Sequence, residues 1–121
     1  MIKTLTRAEE QIMQAIWRLG DGGYLKDIVD AMPEPKPHHN TVATLLKIMV
    51  EKDVVGIKTP NRYNFYHPLL SKDDYTSGSI AGITKGYFEG SYKEVVSFLV
   101  DKKKLSVEDL ELLLKQIKQK K

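Results

Sequence analysis

Apolar positions in the first half of the chain follow a helical spacing three times and then change to strand-like alternation. In each of the three segments, apolar residues recur at about i, i+3, i+4 and i+7, which predicts short helices with one buried face. The members are Ala8, Ile12, Ala15, Ile16 and Leu19; then Leu25, Ile28, Val29 and Met32; then Val42, Leu45, Leu46 and Met49. A period of two over residues 55–67 then predicts a β-hairpin.

Capping and helix-breaking residues place the ends of these helices. Thr6 and Glu9 form a T-x-x-E capping box, in which each side chain satisfies a free backbone N–H at the start of the first helix. Prolines at positions 33, 35 and 37 prevent helix formation in the segment after the second helix. The third helix should therefore begin near His39 or Asn40 and end near Lys52.

The predicted hairpin has turn residues at positions 59–62, between two short strands. Asn61 suits a turn because asparagine tolerates a positive φ. We expect Tyr63, Phe65 and Tyr66 to pack in the core and along the hairpin. The alternating residues are Val55, Gly56, Ile57 and Lys58 on the first strand and Tyr63, Asn64, Phe65, Tyr66 and His67 on the second.

The second half of the chain reads as helical. Three S-x-x-[DE] patterns mark helix starts, and they predict helices at about 72–89, 92–103 and 107–119. The pairs are Ser71 with Asp74, Ser91 with Glu94 and Ser106 with Asp109. The predicted fold class is mainly α with a small β-hairpin, divided into residues 1–70 and 71–121.

Three short helices followed by a hairpin is the element order of a winged helix-turn-helix, whose third helix enters the major groove of DNA. With the apolar residues of that helix facing the core, its opposite side is small or hydrogen-bonding, which suits approach to base edges. Any exposed helix also has a polar face, so a plain solvated surface is the alternative. The candidate DNA-binding residues are Asn40, Thr41, Ala43, Thr44 and Lys47, with Lys58 and Arg62 in the wing.

The distribution of charge along the chain indicates DNA binding more strongly than the net charge does. The net charge is +3, but residues 36–67 hold five basic residues against two acidic ones, an excess that a phosphate backbone would attract. A merely solvated surface is again the alternative. The chain has no cysteine, which excludes disulfides and Cys-based zinc or copper sensing. Without a long apolar run we expect no membrane span, and a cytoplasmic location.

Six segments of the sequence, in this order, resemble the penicillinase repressor family. That family includes the β-lactamase, methicillin-resistance and copper-responsive repressors. Each motif is modest alone, but the ordered set covers nearly the whole chain. The segments are Leu5–Glu9, Ile16–Trp17, Thr41–Leu46, Arg62–Pro68, Phe88–Ser91 and Leu105–Leu110.

The resemblance implies a homodimer that binds a pseudo-palindromic operator in double-stranded DNA and blocks transcription. It assigns the recognition helix and the wing to the same seven residues. The chain departs from the family pattern in two ways. The copper branch has a cysteine cluster that this chain lacks, so copper sensing is rejected. The β-lactam branch is cleaved at an Asn-Phe bond, where this chain has Phe98 and Leu99. These two are candidate cleavage residues, and an upstream sensor or protease is a candidate partner.

The helices from Ser71 onward carry more apolar residues than three short helices bury alone, so they are the expected dimerisation unit. Glycines recur every four residues at positions 78, 82, 86 and 90. They allow either a close crossing with another helix or a weak, bent or broken helix. The candidate dimerisation residues are Gly82, Tyr87, Phe88, Phe98, Leu110, Leu113, Leu114 and Ile117.

Other functions are less favoured by the sequence. No nucleophile with a base, phosphate-binding glycine motif or carboxylate pair supports an enzyme. His38, His39 and His67 are expected to face backbone or solvent rather than a metal, and we expect no cofactor. A small-molecule-sensing winged helix and a protein-interaction module without DNA binding stay open. Salt-sensitive DNA binding would exclude the latter.

Overall fold

A computed structural model describes residues 5–120 of the chain; residues 1–4 and 121, at the ends of the predicted domains, lie outside it. Packing divides the chain into two compact units, one ending at Gly78 and one beginning at Ser79. The helices are α1 (Arg7–Leu19), α2 (Leu25–Asp30), α3 (His39–Glu51), α4 (Lys72–Phe88), α5 (Tyr92–Asp101) and α6 (Val107–Gln119), and the strands are β1 (Gly23–Tyr24), β2 (Val55–Lys58) and β3 (Phe65–Pro68).

The predicted start of α1 is confirmed by its hydrogen bonds. Thr6 Oγ1 accepts from the Glu9 N–H at 3.2 Å, and Glu9 Oε1 accepts from the Thr6 N–H at 2.8 Å. The helix ends at Gly20, which adopts a φ of 86°. Ile12, Ala15 and Ile16 are buried as predicted, and so is Met13. Ala8 and Leu19 were expected on the same face, but both are exposed because they lie at the two ends of the helix.

The predicted hairpin is confirmed, and it belongs to a three-stranded antiparallel sheet of order β1-β3-β2. β3 pairs Tyr66 with Ile57 of β2 and with Gly23 of β1. β1 was not predicted, since two residues are too few to show alternation. It fastens the hairpin to the start of α2, because Leu25 follows Tyr24 directly.

The placement of Tyr63 in the second strand of the hairpin, packed with the core, was wrong. β3 begins at Phe65, and Tyr63 lies in the loop before it with 63% of its surface exposed. Tyr66 is buried and Phe65 half-buried. Asn61 does not use a positive φ. Its side-chain Oδ1 instead accepts the Tyr63 N–H at 3.0 Å, which turns the chain by an Asx turn.

One core joins the helices and the sheet of the first unit. Ile12, Ile16, Ile28, Leu46 and Met49 are fully buried. Each such side chain contributes about 1.5–3 kcal/mol through removal of apolar surface from water. These buried side chains hold the inner face of α3 against the core.

α1 is also joined to the end of α3 by an ion pair. Lys52 Nζ lies 2.8 Å from Glu9 Oε1 and 3.0 Å from Oε2. The Glu9 side chain is 3% exposed and that of Lys52 is 34% exposed. Burial by itself raises the pKa of Glu9, but the hydrogen bonds from Lys52 and Thr6 outweigh it, and the pKa lies below its ordinary value. The carboxyl group is therefore ionised in the folded protein at neutral pH.

The first turn of α4 packs with the first unit. The ring of Tyr75 lies 6.1 Å from that of Trp17, and Trp17 Nε1 donates to the Leu70 carbonyl at 2.9 Å. The Tyr75 hydroxyl also donates to the Glu10 carboxylate. These contacts explain why the packing division falls inside α4, later than the functional division predicted after residue 70.

The second unit contains the rest of α4, with α5 and α6. The three predicted serine caps are confirmed: Ser71 Oγ accepts from Asp74 N, Ser91 Oγ from Glu94 N and Ser106 Oγ from Asp109 N, at 3.0, 3.1 and 3.0 Å. α4 is unbroken through Gly82 and Gly86, and the chain leaves it through Gly90, whose φ is 83°. Of residues 79–120, only Thr84 is buried.

Candidate nucleic-acid interface

The predicted recognition helix is α3, and its orientation follows from its core residues. Val42, Leu46 and Met49 are fully buried, and Leu45 is half-buried against the same core. At 100° per residue, the opposite side must face outward. Of the predicted contact residues on that side, Ala43 is half-buried and the others are exposed: Asn40, Thr41, Thr44 and Lys47.

The first turn of α3 is held by polar side chains. His38 is the N-cap, and its Nδ1 accepts the Asn40 N–H at 3.1 Å. Thr44 Oγ1 donates to the Asn40 carbonyl at 2.9 Å. The Thr44 hydroxyl proton is thereby used within the helix, which leaves a methyl group and oxygen lone pairs. A methyl group suits a thymine methyl, and the lone pairs accept from a base amino group.

The predicted wing residues lie at the free end of the hairpin. Lys58 is the last residue of β2, and Arg62 lies in the loop of residues 59–64 that leads to β3. Both are exposed. Cations at the tip of a hairpin are placed to contact phosphates, which fix the register of a protein on DNA.

The basic excess predicted for residues 36–67 is reduced by two internal contacts. Lys36 Nζ donates to the carbonyls of Asp30 and Met32, at 2.9 and 2.6 Å, and lies 3.8 Å from Glu34 Oε2. Lys52 is paired with Glu9. The other three basic residues of the stretch, Lys47, Lys58 and Arg62, have no acidic partner within residues 5–120. They are the cations available to an outside anion.

The three histidines have separate surroundings. His38 caps α3, and the ring of His67 lies against Gly56, since a Cβ at Gly56 would come within 2.4 Å of it. His39 lines a groove beside the wing. In the described part of the chain no three His, Cys, Asp or Glu side chains are grouped to hold a metal ion.

Sequence reasoning missed the groove between α3 and the wing tip, which has a volume of about 630 Å³. It is lined by Tyr24, Leu25, Lys26, His39, Asn61, Tyr63, Asn64 and Tyr66. Its walls come from three separate stretches of the chain, residues 24–26, His39 and residues 61–66. No local pattern reveals such a groove. Tyr63, an aromatic residue beside the predicted turn, was a partial signal of it.

The predicted dimerisation residues lie in α4, α5 and α6. Phe88 and Leu110 are half-buried, and the ring of Phe88 lies 5.4 Å from that of Phe98. The candidate cleavage residues Phe98 and Leu99 lie inside α5. Gly82 meets no described atom within 4 Å of a Cβ built on it. The other predicted dimerisation residues, Tyr87, Phe98, Leu113, Leu114 and Ile117, are 45–83% exposed.

These observations define a winged helix-turn-helix followed by a helical segment, an architecture of DNA-binding regulators. The chain belongs to the penicillinase repressor family, whose sequence model matches residues 5–119. It is therefore a transcriptional repressor and not an enzyme. Among residues 5–120, no helix has the length and apolar character to cross a membrane.

Several solved structures are similar to the chain. A chain described as the CopR repressor structure is 28% identical, with a TM-score of 0.47, and the match covers 57% of this chain and 100% of that one. No curated protein matches the chain.

Proposed function

We propose that this repressor acts as a homodimer that binds a pseudo-palindromic operator through α3 and the wing. The observation that carries the proposal is the composition of one surface. The outward side of α3 offers Asn40, Thr41 and Thr44 at its N-terminal end. Of the five basic residues in the stretch 36–67, the three without an acidic partner in the described chain, Lys47 and the two wing residues, lie on α3 and the hairpin.

Each side chain on this surface suits a particular part of the duplex. Asn40 has the donor and acceptor geometry that pairs with adenine in the major groove. Thr44 and Ala43 present methyl groups that fit a thymine methyl. Lys47 reaches guanine or a phosphate, and the wing cations contact the backbone. Base contacts and backbone contacts are therefore divided between α3 and the wing.

The proposed dimer rests on the second unit. Only one side chain of residues 79–120 is buried, whereas several large apolar residues of α5 and α6 are exposed. A segment of this size does not form a sufficient core alone, and exposed apolar surface of this kind is typical of association. The domain boundary near residue 70 separates DNA binding from dimerisation in this scheme.

The place of the candidate cleavage residues bears on how the repressor is released from DNA. Phe98 and Leu99 are helical in α5, whereas proteases act preferentially on exposed loops. Cleavage at this bond requires local unwinding of α5, so the inducing signal has to include a step that opens the helix. A small-molecule signal is the other candidate.

A charge reversal on α3 tests the proposed function. Three available cations per subunit give six in a dimer, so log K for a labelled random-sequence duplex should fall against log salt with a slope of about −5 or steeper. Thr44→Glu places a carboxylate against the duplex and should abolish the binding while the dimer persists in sedimentation. Thr76→Glu is the matched control, because Thr76 is an exposed helical threonine of α4.

Two results would contradict the proposal. One is binding by Thr44→Glu as tight as that of the wild type. The other is wild-type binding that does not respond to salt.

A further inference from the structure

The groove beside the wing is flanked on both sides by the proposed DNA contacts, yet none of them lines it. His39, on one wall, precedes Asn40 in α3. Asn61 and Tyr63, on the other wall, are the neighbours of Arg62. A duplex that contacts α3 and the wing together must pass a strand across this groove.

The direction of the hydrogen bonds at Asn61 leaves a tyrosine proton available in the groove. Asn61 Oδ1 accepts the Tyr63 N–H at 3.0 Å, and because a backbone N–H is only a donor, this contact fixes which end of the amide is oxygen. Asn61 Nδ2 therefore donates to Tyr24 Oη at 3.3 Å. The Tyr24 hydroxyl acts as an acceptor there, and its own proton has no acceptor among the described residues.

A second asparagine contacts a tyrosine hydroxyl in the groove. Asn64 Nδ2 lies 3.5 Å from Tyr66 Oη and donates to it. The hydrogen bonds at Asn61 thus leave the Tyr24 hydroxyl as a donor in the groove. A phosphodiester, which accepts hydrogen bonds and donates none, is the matching partner.

The charge of the lining fits the same partner. Lys26 is exposed and has no ion pair within residues 5–120. The lining includes no Asp or Glu. Tyr63 adds an aromatic ring that is 63% exposed, a flat apolar surface of the size of a deoxyribose. The backbone of a DNA strand repeats an anionic phosphate joined to a sugar ring, whose C–H groups can pack on an aromatic ring.

We propose that this groove binds one sugar–phosphate strand of the duplex. Lys26 and the Tyr24 hydroxyl face a phosphate, and the Tyr63 ring packs on a deoxyribose. Asn61 is a positioning residue, since its two hydrogen bonds hold Tyr63 and Tyr24 in place. The inference rests on the proposed function and adds backbone contacts that the sequence did not indicate.

Three variants test the groove by affinity and by salt dependence on the same labelled duplex. Lys26→Gln removes one phosphate contact per subunit, so the slope of log K against log salt should become shallower by about 2 in a dimer. Tyr63→Ala removes apolar contact area and no charge, so it should weaken binding by about tenfold with the slope unchanged, and Tyr63→Phe should bind like the wild type. Lys72→Gln, which removes an exposed charge from α4, should leave the slope unchanged.

The outcomes separate this inference from the proposed function. If the wild type binds with the expected salt dependence but neither Lys26→Gln nor Tyr63→Ala differs from it, the groove does not hold a strand and the function stands. If the wild type binds no duplex at low salt, both proposals fail. Lys26 and Tyr63 are exposed, so thermal unfolding of their variants should match the wild type and keep the comparison valid.

Discussion

The ion pair between Glu9 and Lys52 supports a quantitative prediction about the winged-helix unit. Lys52→Met removes a cation that contacts both oxygens of a buried carboxylate. The remaining partner of Glu9 is the Thr6 N–H. Breaking a buried pair by removal of one member costs about 3–5 kcal/mol. Because Lys52 is itself one-third exposed, water reaches the site, and we expect a loss of about 2–3 kcal/mol in the free energy of unfolding.

Removal of Glu9, the other member of the pair, should lower the free energy of unfolding by less. Glu9→Gln keeps an oxygen for the Thr6 N–H and leaves a lysine that can turn to solvent. A loss of about 1–2 kcal/mol is expected. The double variant Glu9→Gln with Lys52→Met should cost less than the two single changes together, because both remove the same interaction.

The pH dependence has a definite sign. The pKa of Glu9 is lowered in the folded protein, so its contribution to stability is present above the ordinary carboxyl pKa and is lost as pH falls through the lowered value. Glu9→Gln should lack this loss. In Lys52→Met the burial of Glu9 is no longer offset by the cation, its carboxyl takes up a proton more readily, and the gap to the wild type should narrow in acid.

Urea unfolding followed by tryptophan fluorescence measures these effects. Trp17 is the single tryptophan of the chain and packs in this unit against Tyr75, so its emission reports this unit. A loss below about 0.5 kcal/mol in Lys52→Met would refute the reasoning, since that is the range of neutral surface changes. So would an unchanged acid dependence in Glu9→Gln.

The remaining predictions concern the dimer and the wing. Gly82→Leu should weaken the dimer in sedimentation equilibrium, because the described chain leaves open space at this position and any clash must come from a partner subunit. A dimer as stable as the wild type would exclude the close helix crossing. Lys58→Ala should weaken binding to all DNA sequences alike, as loss of a backbone contact does. A changed preference at a single base position in a competition assay would show that Lys58 reads a base.

The parts of the fold that the sequence predicted are those set by local rules. The capping boxes at Thr6 and Ser106 fixed helix starts to the residue, because a cap needs particular side chains three positions apart. The period of 3.6 in α3 correctly placed Val42, Leu46 and Met49 in the core. The outward recognition face followed from them.

The parts that were missed depend on contacts distant in sequence. β1 forms only because β3 offers it a free edge. The pairing of Lys52 with Glu9 links residues 43 positions apart. Because the sequence does not show this pairing, Lys52 was counted among the cations available to DNA. Tyr63 looked like a strand residue by alternation, yet the Asx turn at Asn61 holds it outside β3. Local patterns do not reveal such contacts.

Selection of bound duplexes from a random pool tests the central claim most directly. The proposed homodimer should enrich an inverted repeat, with half-site centres about 10–10.5 base pairs apart or at a multiple of that spacing. Thr44→Glu should enrich none. Enrichment of a single half-site would contradict the dimer, and failure of the wild type to enrich any sequence would contradict recognition through α3.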